Sequence, residues 1–244
     1  MTIIRVMTYN VQGCRGGDRQ VDPERIVRVI GESGPDIVAL QQVDATPDND
    51  QVGILAERLR MRRYGLPRRG ANAFLSHFPL KGVQEFELAE GGCCLRADAD
   101  IHNQRVHLFN LRLDSAPLIR RRQIAALLGP DLLGSSSLAC PTMVLGDFGD
   151  LFWGAGNLNL TLVLRKARRP LWSSTYPASF PLAGRDRAYL RGELHIVDSS
   201  ICRSPTARQA SSHLPLTLTV QVADPRSYLR LEKMNANQMK IAPG

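Results

Sequence analysis

The segment that most constrains the fold is residues 144–148, VLGDF, in which a short apolar run ends in a glycine and a carboxylate. Pro141 precedes the run and Gly149 follows it, so its length suits a buried strand rather than a helix. In layered α/β folds, functional side chains often lie where a buried strand ends and a variable loop begins. Asp147 is therefore either a site residue or an ordinary solvated residue at the start of a loop.

The composition is that of an ordinary globular domain. The chain has 244 residues, of which 43% are hydrophobic, and this is enough for one α/β or β-rich domain with a substantial core. No stretch is apolar for long enough to cross a membrane and the N-terminus lacks a secretory signal pattern, so we expect a cytoplasmic protein. The five cysteines have no Cys-x-x-Cys spacing, which predicts reduced thiols rather than a zinc site or disulfides.

The net charge of +8 favours an anionic partner. Such a charge suits nucleic acid, an anionic membrane surface or a phosphate-containing small ligand, and it does not choose among them. Residues 60–69 contain the densest group of arginines. A solvated face is the simpler interpretation of that group, and phosphate contact is the alternative.

Alternating strand-like and helix-like segments predict a β-rich α/β domain. Two segments, residues 3–9 and 36–42, are predicted strands that end in polar side chains. Between them lies a predicted helix, which Asp22 caps and which glycines at 31 and 34 terminate. Further strand-like runs lie at 73–76, 83–88, 93–101, 106–111, 188–190, 196–200 and 214–222, and helix-like segments lie at 52–59 and 120–128. The simpler interpretation of the three arginines that open the last helix is a surface position, and the alternative is that an anion or an acidic neighbour offsets their charge. The two comparable β-rich halves suit two facing sheets with outer helices.

Seven separated segments resemble, in order, the motifs of one family. They are VMTYNVQG at 6–13, PDIVALQQV at 35–43, NAFLSHFPL at 72–80, LFNLRL at 108–113 with Arg122 and Gln123, GDFG at 146–149, RDR at 185–187 and SSHLP at 211–215. The family is the endonuclease/exonuclease/phosphatase superfamily, whose pattern the chain follows from about residue 4 to about residue 222. Each motif alone is weak, but the ordered set is specific.

The resemblance implies a four-layered α/β/β/α sandwich of the DNase I-like kind, in which two facing mixed β-sheets lie between helices. We expect this domain to span residues 1–223, with the basic segment 224–244 as a tail on the surface or partly disordered. Family members are metal-dependent phosphoesterases that act on nucleic acids, phosphoinositides, sphingomyelin or small phosphodiesters. The resemblance thus implies a hydrolase with Mg²⁺ or Mn²⁺ as its cofactor, and the short form is most similar to bacterial members.

Four of the family's catalytic positions are present in this sequence, at Asn10, Asp147, Asp186 and His213. By resemblance, Asp147 orients the attacking water together with a neighbouring Asn, and Asp186 supports His213, which contacts the phosphate. Such an Asp holds the imidazole in one tautomer and favours its cation. Asn10 and His213 are in addition candidate phosphate-binding residues.

The family's metal-binding positions have lost their carboxylates. Gln42 stands where the family has a Glu, Ser212 where it has an Asp, and Gln12 where one branch has an Asp. A hard cation such as Mg²⁺ is held by carboxylates together with substrate oxygens and waters. We therefore expect these neutral side chains to bind a divalent cation poorly.

Two further departures alter the reaction site itself. Gly149 replaces the Asn of the GDFN motif, and Arg112 replaces a His. Together with the lost carboxylates, the arginine makes the local formal charge more positive by about three units. A phosphate could then bind directly to Arg112 and His213, because a guanidinium fork suits phosphate oxygens.

Three functions remain open on the sequence, and whether the chain is an enzyme is open with them. The first is a catalytically impaired family member, a pseudoenzyme that needs no metal and binds a phosphate-containing ligand or polyanion. The second is an active Mg²⁺- or Mn²⁺-dependent phosphodiesterase, phosphatase or nuclease with a rearranged site, in which Asp150, Asp44 or Asp18 takes up the metal. The third is a non-enzymatic scaffold that binds nucleic acid or a protein. Trp153, Trp172 and Tyr176 are candidates for stacking on a base.

Overall fold

The backbone forms strands and helices in nearly the order that the sequence predicts. The computed structural model describes residues 2–136, 138, 141–150, 157–167 and 173–222. The strands are β1 (Thr2–Asn10), β2 (Ile37–Val43), β3 (Ala45–Thr46), β4 (Asn49–Asp50), β5 (Arg62–Gly65), β6 (Ala71–Ser76), β7 (Leu80–Leu88), β8 (Gly92–Ile101), β9 (Gln104–Arg112), β10 (Thr142–Asp147), β11 (Arg165–Lys166), β12 (Asp186–Arg191), β13 (Leu194–Ile201) and β14 (Leu216–Val222). The α-helices are α1 (Pro23–Ser33), α2 (Gln51–Leu59), α3 (Pro117–Leu127), α4 (Leu158–Thr161) and α5 (Pro205–Ala210).

Within the described residues, two six-stranded sheets form the body of the fold. The first sheet has the strand order β13-β14-β1-β2-β6-β5, and the second has the order β11-β12-β10-β9-β8-β7. Each sheet is mixed, because β1 runs parallel to β2 and β10 runs parallel to β9, whereas the neighbouring pairs are antiparallel. The predicted pair of facing mixed sheets is thus confirmed.

The layers follow from the period of two along each strand. Alternate apolar residues of both sheets, such as Val6, Leu108 and Leu145, form a core between the sheets. The remaining apolar residues of the first sheet pack under α1, α2 and α5, and those of the second sheet pack under α3 and α4. Helices therefore cover both outer faces, as the α/β/β/α prediction requires. No helix in the described ranges is long and apolar enough to cross a membrane.

The predicted limits of α1 are confirmed by its caps. The Asp22 side chain accepts a hydrogen bond from the Glu24 N–H at 3.0 Å, and Pro23 occupies the first turn. The helix continues through Gly31 and ends at Gly34, whose φ of +55° is the left-handed conformation that glycine adopts easily. The tail 224–244, Trp153 and Trp172 lie outside the described residues, so the predictions for them stay untested.

Where the apolar core ends, buried amides join the two sheets. The Asn110 side chain of β9 donates to the carbonyls of Leu40 and Ala73 in the first sheet, at 2.8 and 3.0 Å. Gln41 donates in return to Asn110 Oδ1 at 2.7 Å, and Asn72 donates to the Asn110 carbonyl at 3.0 Å. All three amide side chains belong to fully buried residues. These bonds fix the relative position of the strand ends that carry the candidate site.

We expect Asn110→Ala to destabilise the protein by about 2–3 kcal/mol, because each buried polar group that loses its partner costs roughly 1–3 kcal/mol. Urea unfolding followed by circular dichroism measures the change. Gln209→Ala, at an exposed position of α5, is the matched control and should stay within about 0.5 kcal/mol of the wild type. Equal effects of the two substitutions would show that the amide bridge contributes little.

Candidate active site

One row of neighbours across the second sheet carries three of the predicted site residues. Asp147 pairs in register with Arg112 on β9 and with Asp186 on β12. Residues in register project to the same face of a sheet. Leu145 precedes Asp147 by two residues and lies in the core between the sheets, so this row belongs to the inner face.

From the first sheet, Asn10 and Gln42 reach the same point. Consecutive strand residues normally face opposite sides, but β2 has a register shift between Leu40 and Val43, and Gln42 has a φ of +53°. This bulge lets Gln41 and Gln42 both turn inward. Gln41 bonds to the second sheet, and Gln42 bonds to Asn10.

The Asn10 side chain connects the two sheets at the site. Its Nδ2 donates to Gln42 Oε1 at 2.9 Å and to Asp147 Oδ2 at 3.0 Å. Its Oδ1 accepts from the Gln12 backbone N–H at 3.1 Å, whereas Gln12 itself is exposed. Gln12 therefore contributes a backbone donor, and its side chain makes no hydrogen bond to the described residues of the site.

Asp147 has a cationic partner, Arg185, that the motif comparison did not identify as a site residue. Arg185 Nε donates to Asp147 Oδ1 at 3.1 Å, and Arg185 Nη2 donates to Asp147 Oδ2 at 3.0 Å. The Gly149 N–H also donates to Oδ1, at 2.9 Å. Burial acts to raise the pKa of Asp147, but the charges of His213 and Arg185 and the Gly149 N–H bring that pKa below its ordinary value. The carboxylate is thus ionised at neutral pH.

His213 and Asp186 form the predicted buried pair. His213 Nδ1 lies 2.9 Å from Asp186 Oδ2, and His213 Nε2 lies 3.8 Å from Asp147 Oδ2. Burial alone would lower the pKa of His213. The charge and hydrogen bond of Asp186, followed by the charge of Asp147, outweigh burial and the opposing charge of Arg185, so that the pKa of His213 is raised. The site therefore favours an imidazolium.

The loop that carries His213 is held by main-chain contacts. Ser211 Oγ donates to the Asn10 carbonyl at 2.8 Å, and the His213 N–H donates to Ser211 Oγ at 3.3 Å. Ser212 bonds through its carbonyl to the Ala178 N–H at 2.7 Å. Its hydroxyl is buried without a partner among the described residues, so Ser212 brings a neutral group to the position where the family has a carboxylate.

Arg112, the cation in this row, has no acidic partner within the part of the chain that the structure describes. Its Nη2 makes one long hydrogen bond, 3.5 Å, to the Gly91 carbonyl. Its Nε is buried without a partner, and the ion pairs found among the described residues do not include it. Arg112 therefore has hydrogen-bond donors that the described residues use little.

Asp150 lies in a separate buried ion cluster. Its carboxylate is 3.4 Å from Arg187 Nη1 and 3.8 Å from Arg120 Nη2, and Asn157 Nδ2 lies 3.4 Å away. The three charged side chains are at most 5% exposed. This carboxylate already compensates two guanidinium groups, and its use as a substitute metal ligand stays a prediction.

The simpler interpretation of the arginines at the start of α3, a surface position, is wrong for Arg120. The helix begins three residues earlier, at Pro117, and Arg120 points inward, where it donates to the carbonyls of Ser115 and Gly149 at 2.8 and 3.3 Å. These carbonyls and Asp150 offset the unfavourable position of a cation near a helix N-terminus. Arg120 thus helps to hold the loop that follows Asp147.

The two other acidic residues considered as metal ligands are engaged in loop contacts. Asp44 accepts from the Gly70 N–H at 2.8 Å and from Asn49 Nδ2 at 2.9 Å. Asp18 is exposed and pairs with Arg25 at 2.8 Å. These contacts give both carboxylates a role in shaping their loops.

Both the backbone conformation and the space around Gly149 favour glycine at this position. Its φ is +64°, and a Cβ added there would lie 2.3 Å from the Asp114 carbonyl oxygen. Asn tolerates a left-handed conformation, but it cannot avoid that collision unless the backbone moves. The water-orienting Asn of the family therefore has no counterpart at this position.

The donor set does not fit a divalent cation. In the described ranges, no group of three or more His, Cys, Asp or Glu is placed to hold a metal. Gln42 offers an amide oxygen that already accepts from Asn10, and Ser212 offers a hydroxyl. Both oxygens of Asp147 face N–H donors. Hard cations bind carboxylate oxygens, amide carbonyls and waters, and the protein oxygens of this kind at the site are few and already accept hydrogen bonds.

Sequence and fold both place the chain in a known family. Residues 7–213 match the sequence profile of the Endonuclease/Exonuclease/phosphatase family. This match covers most of the chain, which therefore belongs to that family. No curated protein matches the sequence.

The fold is similar to several solved structures. An endonuclease/exonuclease/phosphatase from Beutenbergia cavernae has 21% identity and a TM-score of 0.76, over 91% of this chain and 72% of that one. A family protein from Bacteroides vulgatus has 15% identity and a TM-score of 0.73, over 91% of this chain and all (100%) of that one. TDP2 from C. elegans has 17% identity and a TM-score of 0.71, over 89% and 75%. At such identities the likeness shows the fold alone.

The structure brings the four matched positions into one cluster. Hydrogen bonds or close contacts connect Asn10 to Asp147, Asp147 to His213, and His213 to Asp186. Their roles in catalysis and phosphate binding stay predictions. The RDR motif assigns no role to Arg185, although this residue directly precedes Asp186. A second charged residue beside a matched one is the only sequence feature that points to it.

We expect the imidazole of His213 to titrate above pH 6.5, its ordinary value, and Asp186→Asn to lower that pKa because it removes the neighbouring charge. NMR titration of the ring signals measures both. Since the folded-state pKa is raised, the stability from this pair is complete below the unfolded pKa and is lost as pH rises through the folded one. Asp198→Asn, at an exposed position of β13, should leave the His213 titration unchanged. A wild-type pKa at or below the ordinary value would contradict the assignment.

Proposed function

We propose that this family member binds a phosphate group directly through cationic side chains and that its metal-dependent hydrolysis is impaired. The observation that carries the proposal is the position of Arg112. It lies in register beside Asp147, on the inner face of the second sheet, and within the described residues it has no carboxylate partner. A guanidinium with unused donors beside the candidate site is a suitable contact for a phosphate oxygen.

The charges around Arg112 support an anionic ligand. The Asp147 carboxylate already pairs with Arg185, and the Asp186 carboxylate is hydrogen-bonded to His213, whose pKa is raised by that contact. Arg112 then adds a positive charge with no counterpart in the cluster. The ligand class is a phosphate ester, either a small molecule or a segment of nucleic acid backbone.

The same contacts weaken hydrolysis. Phosphoryl transfer to water needs a group that orients the water and positive charge that stabilises the transferred phosphoryl oxygens. Asp147 accepts hydrogen bonds from Asn10, Gly149 and the two nitrogens of Arg185, and its pKa is lowered, which makes it a poor base. Gly149 has no side chain with which to assist it, and Gln42 adds no charge.

An active metal-dependent phosphodiesterase, phosphatase or nuclease is the second candidate. The convergence of Asn10, Asp147, Asp186 and His213 favours it, because these are the family's reacting groups. Hydrolysis of bis-p-nitrophenyl phosphate with Mn²⁺ or Mg²⁺ separates the candidates. Turnover that is lost in both Asp147→Ala and His213→Ala would establish the second candidate in place of the first.

The proposal predicts that p-nitrophenyl phosphate binds to the wild-type protein with the same affinity in EDTA and in Mn²⁺. Arg112→Ala and His213→Ala should each weaken binding by about tenfold or more, because a hydrogen bond to a charged group contributes roughly 1.5–3 kcal/mol. Isothermal titration calorimetry measures both effects. Arg28→Ala removes an exposed arginine of α1 and is the control for loss of charge elsewhere. Binding that requires metal, or no binding at all, would contradict the proposal.

A further inference from the structure

The contact between Arg185 and Asp147 has the geometry of a two-pronged ion pair. Nε and Nη2 of Arg185 each reach a different oxygen of Asp147, at 3.1 and 3.0 Å. The Asp147 side chain is 2% exposed and that of Arg185 is 16% exposed, so solvent screens the pair weakly. Bidentate pairs of this kind are among the strongest hydrogen-bonded contacts that side chains form.

Both ends of Arg185 are held in place. Its carbonyl accepts from the Phe148 N–H at 3.0 Å, which ties its backbone to the loop directly after Asp147. Its guanidinium carbon lies 4.9 Å from the centroid of the Tyr176 ring. The same ring packs against the His213 imidazole, with the centroids 4.9 Å apart. The fork is therefore positioned by backbone pairing and by stacking as well as by charge.

Arg185 completes the set of donors around Asp147. Oδ1 accepts from Gly149 and Arg185, and Oδ2 accepts from Asn10 and Arg185. An ionised carboxylate has about four lone-pair sites, and these four bonds use them. A cation that approached Asp147 would have to displace a charged partner and would meet the positive charge of the guanidinium.

Gln42 stands opposite Asp147 across Asn10. Gln42 Oε1 and Asp147 Oδ2 converge on the single Nδ2 atom of Asn10, at 2.9 and 3.0 Å. A carboxylate at position 42 would therefore face the carboxylate of Asp147. One or two carboxylates with bound waters are a usual set of protein ligands for a small hard cation.

We infer that Arg185 takes the place of a divalent cation against Asp147 and that it closes this part of the site to metals. The lost carboxylates at positions 42 and 212 are then only part of the change that separates this chain from a metal-binding member of its family. Another part is an internal cation, Arg185, that pairs with Asp147. This inference does not depend on phosphate binding, because it concerns Mn²⁺ alone.

The test compares Mn²⁺ binding by the full chain and four variants, measured by electron paramagnetic resonance of the free ion. The variants are Gln42→Glu, Arg185→Met, the combination of both, and Gln42→Glu with Arg112→Met. Methionine keeps much of the length of arginine and removes its charge and donors. We expect the combination at 42 and 185 to bind Mn²⁺ at least about tenfold more tightly than either single variant and than the wild type.

The Arg112 combination is the matched control, since it removes an equal charge from the residue in register with Asp147. It should gain clearly less affinity than the Arg185 combination. Gln42→Glu with Arg185→Gln serves if the methionine variant does not fold, because glutamine removes the charge but keeps a polar side chain. It should exceed Gln42→Glu alone.

Three results would overturn the inference. If Gln42→Glu alone binds Mn²⁺ as tightly as its combination with Arg185→Met, Arg185 is not a barrier to metal binding. Equal gains from the two arginine substitutions would show a general charge effect. If the variant that combines Gln42→Glu with Arg185→Met folds but gains no affinity for Mn²⁺, no metal position lies behind the Arg185 guanidinium.

Discussion

The structure depends on the hydrogen bonds between buried polar groups at one edge of its two facing sheets. Between the sheets the core is apolar, but at one edge the inner faces carry buried amides and acids, and each of these groups needs a partner. Gln41 donates across the gap to Asn110, which donates to carbonyls of the first sheet, and Asn10 donates to both Gln42 and Asp147. The site is therefore part of the bonding that joins the two sheets.

The main feature of this site is that cationic side chains lie beside its acidic residues. Positive charge beside the reacting carboxylates is a general requirement of phosphoryl chemistry, and a metal ion is the family's usual source of it. Here Arg185 supplies a positive charge to Asp147, His213 is hydrogen-bonded to Asp186, and Arg112 has no acidic partner among the described residues. This arrangement supports the proposal that the site binds an anion rather than a metal cation.

Much of this arrangement could be predicted from the sequence, because local patterns determine it. Alternation and caps identified the strands and α1, and ordered motifs identified Asp147 and His213. The inward turn of Gln42 depends on a bulge, which strand periodicity does not show. The contact of Arg185 with Asp147 joins residues far apart in the chain, and the burial of Arg120 depends on carbonyls presented by two loops. Such contacts are determined by tertiary packing, so a motif comparison passes over them.

The most direct test of the account is a crystal structure of the wild-type protein grown with both Mn²⁺ and inorganic phosphate, with anomalous scattering used to locate manganese. The account predicts no manganese peak between Gln42 and Asp147, an intact fork from Arg185 to Asp147, and phosphate bound to Arg112 and His213. A manganese ion bound to Asp147, with Arg185 displaced, would contradict it.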